Sequence, residues 1–389
     1  MKRSSQLFAL GFRPFYSLAA VFALASVLFW LLSFIGVFHA GGYLQGISWH
    51  SHEMVFGFAI AVMSGFLFTA VRNWTGLPTP TGFALAALAA LWIAGRLLVI
   101  TGPPLLAAVV DAVFVPALAV GVAIPVIKSR NQRNYKIVAL LLLLAITNVV
   151  YHLAALGFPP AWSAYTALIV ALDLITIVFA IVAGRVIPAF TRNAIPGSDP
   201  RHAGWLEVLS FGSLVLIMVL RISGDWVSIP AVIPTTIIVI AAVSHAYRLA
   251  LWQPQLTAGK PLLWMMPVAY SWLPIALFLR ALAGHSLVGQ GVWIHAMTIG
   301  AVSGLMLAMM MRSALGHTGR PLVASGMDMS AFLLLQLAAI IRVTAGLFPA
   351  GHYQALVISS GVLWMLAFGI FLLRYLPMLM RPRIDGRPG

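Results

Sequence analysis

The sequence predicts an all-α integral membrane protein, built as a single bundle of about twelve transmembrane helices. Hydrophobic residues make up 62% and charged residues 8% of the 389 residues, and the mean hydropathy is +1.01. A water-soluble protein of this composition would expose very large apolar patches. The apolar residues also occur in runs of roughly 20, the length of a helix that crosses a bilayer. These observations exclude a soluble globular protein.

Short polar connectors separate the apolar runs and give the order of the helices. The first six spans are predicted at residues 14–36, 50–71, 82–100, 104–127, 136–157 and 163–187. The second six are predicted at residues 203–223, 229–252, 262–283, 291–312, 329–348 and 353–377. No connector is long enough for a separate soluble domain, so residues 1–389 are predicted to form one transmembrane domain.

The basic residues predict the orientation of the helices. The formal net charge is +15, and the chain has 23 Lys and Arg residues. If both termini are cytoplasmic, all of them except Arg96, Arg221, Arg280 and Arg342 fall on the cytoplasmic side. Short cytoplasmic loops are rich in Lys and Arg. The distribution therefore predicts a multi-pass protein of a bacterial inner (cytoplasmic) membrane, with the lipid bilayer as its partner and no nucleic acid.

The four remaining arginines share one position. Each lies a few residues before the outer end of an odd-numbered span: the third, seventh, ninth and eleventh. An arginine at this depth can extend its guanidinium to the membrane interface, or it can bind an anion. Because the guanidinium binds carboxylates through two parallel hydrogen bonds, the repeated position suits an anionic ligand just inside the outer face.

Four histidines are predicted at the same depth. His50 and His52 open the second span beside Glu53, His152 lies near the outer end of the fifth span, and His295 near that of the tenth. The chain has no cysteine, so His, Met and carboxylate side chains are the available metal ligands. Because ionisable groups are costly inside a membrane, we predict that these four histidines bind metal.

A haem group would explain why histidines and arginines share one layer. Haem iron takes imidazole ligands, and the two propionates need cationic partners. Glu53 lies one turn from His50 and is predicted to accept the second ring N–H of that histidine. Asn148 is predicted to support His152 in the same way. The predicted cofactor-binding residues are thus His50, His52, His152, His295, Glu53, Arg96, Arg221, Arg280 and Arg342.

The other polar and soft residues are predicted to lie outside this site. His39, His202, His285 and His352 fall in or beside connectors, and His245 and His317 near inner helix ends, as interface residues or caps. The 16 methionines are predicted to pack helices rather than to bind copper. Asp173, near the middle of the sixth span, is protonated, paired or on a proton path.

Long strings spread over the chain resemble the NnrS family. They are LGFRPFY, WHSHEMVFGF, GFLFTAVRNWTG, LWIAGRL, TNVVYHL, AGRVIPAFTRN and WIHAMTIGAVSGLMLAMMMRSALGHTGRPL. The resemblance implies a cytoplasmic-membrane protein that contains haem and also copper, and that is linked to nitric oxide metabolism and to tolerance of nitrosative stress. One departure is Pro267, which lies in a helix that carries a histidine in many members.

A more distant resemblance is to the catalytic subunit of haem-copper oxidases and nitric oxide reductases. That subunit also has twelve helices, with haem-ligating histidines near the outer ends of the second and tenth. His50 or His52 and His295 lie at those positions. The active-site histidines do not match, because the tenth span has one histidine and the sixth has none. An oxidase-type copper centre is therefore not expected.

Three functions remain open at this level. The first is a haem protein that senses, binds or reductively removes nitric oxide, or protects iron centres from it. The second is a secondary transporter that couples protons or an anion, although such proteins usually carry charged groups near the bilayer midplane. The third is a module that passes electrons from quinol through its haem to a partner. The sequence assigns no catalytic residue.

Overall fold

The computed structural model describes residues 6–38, 41–159, 162–224, 226–348 and 351–387. This part of the chain is helical with short connectors, and twelve of its helices are long and apolar enough to cross a membrane. In chain order, α1 to α6 are Phe12–Phe34, Gly46–Thr75, Gly82–Thr101, Pro104–Lys128, Gln132–Ala155 and Ala164–Ala194. Helices α7 to α12 are Gly204–Ser223, Val232–Leu251, Pro261–Gly284, Gln290–His317, Gly326–Leu347 and Tyr353–Met380. The predicted fold class is confirmed.

Three helices extend well beyond their predicted apolar runs. Helix α2 begins at Gly46 rather than near residue 50, α6 continues to Ala194, and α10 continues to His317. The extra turns contain polar residues, which are compatible with a helix. They were not included in the predicted spans because those spans were defined by apolar runs. As a result His50, His52 and Glu53 lie inside α2, one to two turns after its first residue.

Helices α2 and α10 each contain a π-helical segment that begins directly after a histidine. The segment in α2 is Glu53–Ala59, after His52, and the segment in α10 is Ala296–Ser303, after His295. Both histidines begin the pattern His-x-Met-x-x-Gly, as HEMVFG and HAMTIG. π-Helical turns are rare and occur frequently at functional sites.

The chain divides into two compact units. The first consists of Met1–Leu174, Ser313–Pro321 and Phe371–Gly389. In it α2 packs against α1 and α4, and α4 also packs against α3 and α5. The aromatic rings of Phe15, Phe68 and Phe114 meet in its core. This packing brings α2 to α5 together around the site described below.

The second unit consists of Ile175–Arg312 and Leu322–Ile370. In it α8 packs against α7 and α9, and α10 packs against α9 and α11. Its largest fully buried side chains include Trp252, Trp293, Tyr270 and Phe332. Leucine, isoleucine and valine side chains remain exposed on many helices of both units, as expected for faces that contact lipid.

Candidate metal centre

A buried polar group lies among α2, α3, α4 and α5 of the first unit. Its ionisable members, each at most 5% exposed, are His52, Glu53, Arg96, Asp111 and His152. We call these five residues the buried ionic group. Charged side chains inside a membrane are stable only when they pair with one another or with other polar groups. The five side chains meet this requirement by pairing with one another.

Arg96 joins the two carboxylates. Its Nη1 donates to Glu53 Oε2 at 2.7 Å, and its Nη2 pairs with Asp111 Oδ1. Gly57 makes room for this arrangement, because a Cβ atom there would lie 2.9 Å from both Arg96 Nη1 and Glu53 Oε2. The guanidinium thus occupies one oxygen of each carboxylate and leaves Glu53 Oε1 and Asp111 Oδ2 for the histidines.

The two ring nitrogens of His52 face three oxygen atoms, one each of Glu53, Asn148 and Asp111. Its Nδ1 lies 3.1 Å from Glu53 Oε1, and because an ionised carboxylate only accepts, this nitrogen carries the proton. Its Nε2 lies 3.2 Å from Asn148 Oδ1 and 3.3 Å from Asp111 Oδ2. The Asn148 amide nitrogen donates to Asp111 Oδ2 at 2.9 Å, which fixes the amide orientation. When His52 is neutral, Nε2 is also an acceptor, so three acceptor atoms converge and need a proton or a metal cation between them.

His152 approaches the same carboxylate oxygen from α5. Its Nε2 lies 2.8 Å from Asp111 Oδ2, and its Nδ1 lies 2.5 Å from the Tyr43 hydroxyl. Tyr43 belongs to the connector before α2, which is held close to the end of α3: a Cβ atom on Gly42 would lie 2.2 Å from the Val99 carbonyl oxygen. Tyr43 thus orients the His152 ring from the side opposite Asp111.

The ligand atoms of His52, Asp111 and His152 fit the dimensions of a metal site. All three lie within 4.8 Å of one another. A tetrahedral site with metal–ligand bonds of about 2.0–2.2 Å places neighbouring ligand atoms roughly 3.4 Å apart. The distances from Asp111 Oδ2 to the two Nε2 atoms, 3.3 and 2.8 Å, are close to that value. Two imidazoles and one carboxylate can hold a transition-metal ion, and Asn148 Oδ1 lies 3.2 Å from His52 Nε2 as a further oxygen atom beside them.

Two predicted supporting contacts are wrong. Glu53 contacts His52 rather than His50, because Arg96 draws its carboxylate toward α3 and α4. The half-buried His50 ring instead stacks on Trp30, with ring centroids 4.5 Å apart. Asn148 contacts His52 rather than His152, because Asp111 takes the His152 nitrogen directly. The structure thus brings His52 and His152 together and places the His50 ring against α1.

His295 and three of the predicted arginines belong to the second unit. His295 is half-buried, and its Nδ1 donates to the Gly291 carbonyl at 2.6 Å, which leaves the lone pair on Nε2. The Arg280 guanidinium lies 4.5 Å from the centre of the Trp293 ring. Arg342 Nη2 donates to the Tyr353 hydroxyl at 3.4 Å. Arg221 is half-buried in the last turn of α7.

His245 is not an interface residue, contrary to the prediction. It is fully buried, and its Nδ1 lies 2.6 Å from the Tyr270 hydroxyl. Arg248 donates to the same hydroxyl at 2.9 Å and forms two 2.8 Å hydrogen bonds with Glu207. The ion pair with Glu207 balances the charge of Arg248. The Tyr270 hydroxyl accepts from Arg248 and donates to the His245 imidazole. Glu207 and Tyr270 were not foreseen.

The other histidines and Asp173 divide between exposed and buried positions. His202, His285 and His352 are exposed, as predicted, and His317 is half-buried at the last residue of α10. His39 lies outside the described residues. Asp173 is buried in α6.

Asp111 is the member of the buried ionic group that the sequence-based prediction missed. It lies about two turns after the start of α4, within the apolar string AAVVDAVFV. A lone acidic residue inside a span is the same signal that drew attention to Asp173. That signal could have identified Asp111 as functional. In the predicted orientation Asp111 also lies about two turns from the outer end of the fourth span, near the depth of Arg96 and His152, but depth alone does not show which side chains contact one another.

Comparisons with known proteins identify the family. No curated protein matched the chain. A family model described as NnrS protein matches residues 6–383, which include all twelve helices. Since this match covers nearly the whole chain, the protein belongs to the NnrS family.

Proposed function

We propose that this chain is a membrane metalloprotein of nitric oxide metabolism or of protection against nitrosative stress, and that the buried ionic group holds a metal ion. Family membership supports the nitric oxide context. The single observation that carries the metal assignment is that one ligand atom each of His52, Asp111 and His152 lie within 4.8 Å of one another, since two imidazole nitrogens and a carboxylate oxygen at this spacing can bind one metal ion. Copper is the metal that the family resemblance implies.

The ligands would be His52 Nε2, Asp111 Oδ2 and His152 Nε2. A bound transition-metal ion would supply a site for nitric oxide or for electron exchange. Glu53 holds His52 in the tautomer that offers Nε2, and Tyr43 can accept Nδ1–H from His152 once its Nε2 binds metal. Arg96 pairs with both carboxylates, so we do not retain it as a propionate partner.

A haem group is proposed separately, in the second unit, where His295 would bind the iron and Arg280 and Arg342 would pair with the propionates. A Cβ atom on Gly346 would lie 2.6 Å from Val292, so these two residues are level on the antiparallel helices α11 and α10. Arg342, one turn before Gly346, is then level with His295 and its neighbour Ala296. Arg280 lies over Trp293 in the same turn. Haem would supply iron chemistry there.

The apolar surroundings suit a small uncharged ligand. Nitric oxide dissolves in lipid, and the lipid-facing apolar helices leave it a path that excludes ions. We propose a bacterial inner membrane with cytoplasmic termini, from the distribution of Lys and Arg. Reductive turnover of nitric oxide would require an electron donor, for which a membrane quinol is the proposed class.

The two proposed sites can be separated by one set of variants. His52→Gln and His152→Gln should each lose the non-haem metal of the purified protein and keep the Soret absorption band. His295→Gln should lose much of the Soret band and keep the non-haem metal. Elemental analysis by mass spectrometry and optical spectra of oxidised and dithionite-reduced protein, with and without nitric oxide, measure both.

His285→Gln is the matched control, because this exposed histidine belongs to neither proposed site. It should keep both cofactors. A colourless, metal-free wild-type protein, purified after expression with sufficient haem and copper, would contradict the proposal. It would favour an ion-coupled transporter in which the buried ionic group binds protons.

A further inference from the structure

We infer that the buried ionic group is built for a monovalent metal ion and that Arg96 sets this preference. The inference rests on the proposed metal site. Arg96 is not a ligand in this account. It acts through the charge that it contributes beside Asp111 and Glu53.

The charge of the group can be counted from its contacts. Glu53 and Asp111 contribute two negative charges, Arg96 contributes one positive charge, and both histidines are neutral when they offer a lone pair to a metal. The metal-free site therefore carries one net negative charge. In the part of the chain that the structure describes, every ion pair formed by these five residues lies within the group.

Because the group is buried, its net charge determines which metal ion it can hold. Each of the five residues is at most 5% exposed, and an uncompensated charge away from water is very costly. A monovalent cation brings the site to neutrality. A divalent cation leaves one positive charge, a few ångströms from the guanidinium that already contacts Asp111. Burial thus favours the monovalent ion.

Arg96 also limits how Asp111 can bind. Because its guanidinium takes Oδ1, only Oδ2 faces the two imidazoles. The carboxylate therefore binds through one oxygen, which gives a low coordination number. Two imidazoles with one or two oxygens suit a transition-metal ion of low coordination number, whereas Ca²⁺ needs more oxygen ligands. The donor set thus excludes hard ions such as Ca²⁺, and the net charge of the group decides between a monovalent and a divalent transition-metal ion.

The test compares the affinities of the detergent-purified full-length protein for Ag⁺, a redox-inert monovalent probe, and Zn²⁺. Arg96→Gln raises the net negative charge of the buried ionic group by one. This strengthens the binding of a divalent ion more than the binding of a monovalent ion, because the attraction grows with the charge of the ion. The Zn²⁺/Ag⁺ affinity ratio should rise at least about tenfold. Arg96→Lys keeps the charge and should keep the wild-type ratio.

Two further variants keep the test independent of the folding of Arg96→Gln. Glu53→Gln removes one negative charge, so the Zn²⁺/Ag⁺ ratio should fall. The double variant Arg96→Gln/Glu53→Gln restores the net charge of the wild-type group and should restore its ratio. The inference is overturned if the ratio stays unchanged in both single variants, or if Arg96→Lys changes it as much as Arg96→Gln. A wild-type protein that binds neither ion would instead contradict the metal site itself.

Discussion

The hydrogen bond between Tyr43 and His152 links the connector before α2 to the buried ionic group. Without metal, the Tyr43 hydroxyl donates to His152 Nδ1 at 2.5 Å, and Nε2–H donates to Asp111. With metal on Nε2, the proton must sit on Nδ1 and be donated back to the Tyr43 oxygen. The same tyrosine satisfies both tautomers, because a hydroxyl is donor and acceptor.

Tyr43→Phe should weaken metal binding without removing it. The variant leaves the His152 Nδ1–H unpaired in the metal-bound state, and loss of such a supporting contact typically lowers affinity about 10- to 100-fold. Titration of the purified protein with Ag⁺ measures the change.

Tyr151→Phe is the matched control. Its ring lies 5.0 Å from the His52 ring, but its hydroxyl donates to the Ser48 carbonyl and touches no ligand atom. The affinity of the Tyr151→Phe variant for Ag⁺ should stay within about twofold of that of the wild type. Equal effects of the two substitutions would show that Tyr43 acts only through packing.

At the residue scale, the sequence predicts side chains better than their partners. His52, His152, Glu53 and Arg96 stand out as ionisable groups in apolar spans. Their contacts depend on helices that meet far apart in sequence, such as α2 and α5, and on the rotation of each helix. The hydropathy pattern gives neither the contacts between distant helices nor their rotation. For this reason the sequence pairs Glu53 with His50 and does not single out Asp111.

At the element scale, a glycine in the π-helical segment of α2 leaves room for the ion pair between Arg96 and Glu53. A Cβ atom on Gly57 would lie 2.7 Å from the Phe22 ring and 2.9 Å from Arg96 Nη1. The corresponding glycine of α10, Gly300, faces Trp272, where a Cβ atom would lie 2.4 Å from the ring. Each glycine lets a neighbouring helix approach the turn that follows a histidine.

Gly57→Ala should destabilise the protein and displace Arg96 from Glu53. Overpacking a filled interior typically costs about 1–3 kcal/mol, and it should lower the thermal unfolding temperature. Gly212→Ala in α7 is the control, since no atom lies within 4 Å of its added Cβ. The Gly212→Ala substitution should be neutral or slightly stabilising, because alanine favours the helix over glycine by up to about 1 kcal/mol. An unchanged unfolding temperature in Gly57→Ala would contradict the packing argument.

Helix number and order were predictable at this scale, because each span is a long apolar run between short connectors. The ends of α2, α6 and α10 were not, since polar turns continue these helices beyond the apolar run. The π-helical segments were also not predictable. They depend on packing around Gly57 and Gly300, and the strings HEMVFG and HAMTIG have no helical periodicity that distinguishes them from α-helix.

At the scale of the whole molecule, the two units differ in their polar chemistry. The first holds two carboxylates, one arginine and two imidazoles in a buried contact network. In the second, His295 lies within about one helical turn of the levels of Arg280 and Arg342. A cation suits the first set and a ligand with acidic groups suits the second. Composition alone established the membrane class, whereas this separation required the three-dimensional contacts.

X-ray absorption spectroscopy of the protein loaded with one equivalent of Cu⁺ tests whether His52, Asp111 and His152 hold a metal ion. We expect a shell of nitrogen and oxygen atoms at about 2.0–2.2 Å, with the multiple scattering of two imidazole rings. In His152→Gln the imidazole contribution should fall by half or the metal should be lost. A shell of sulfur from the methionines, or a spectrum without imidazole scattering, would contradict the claim.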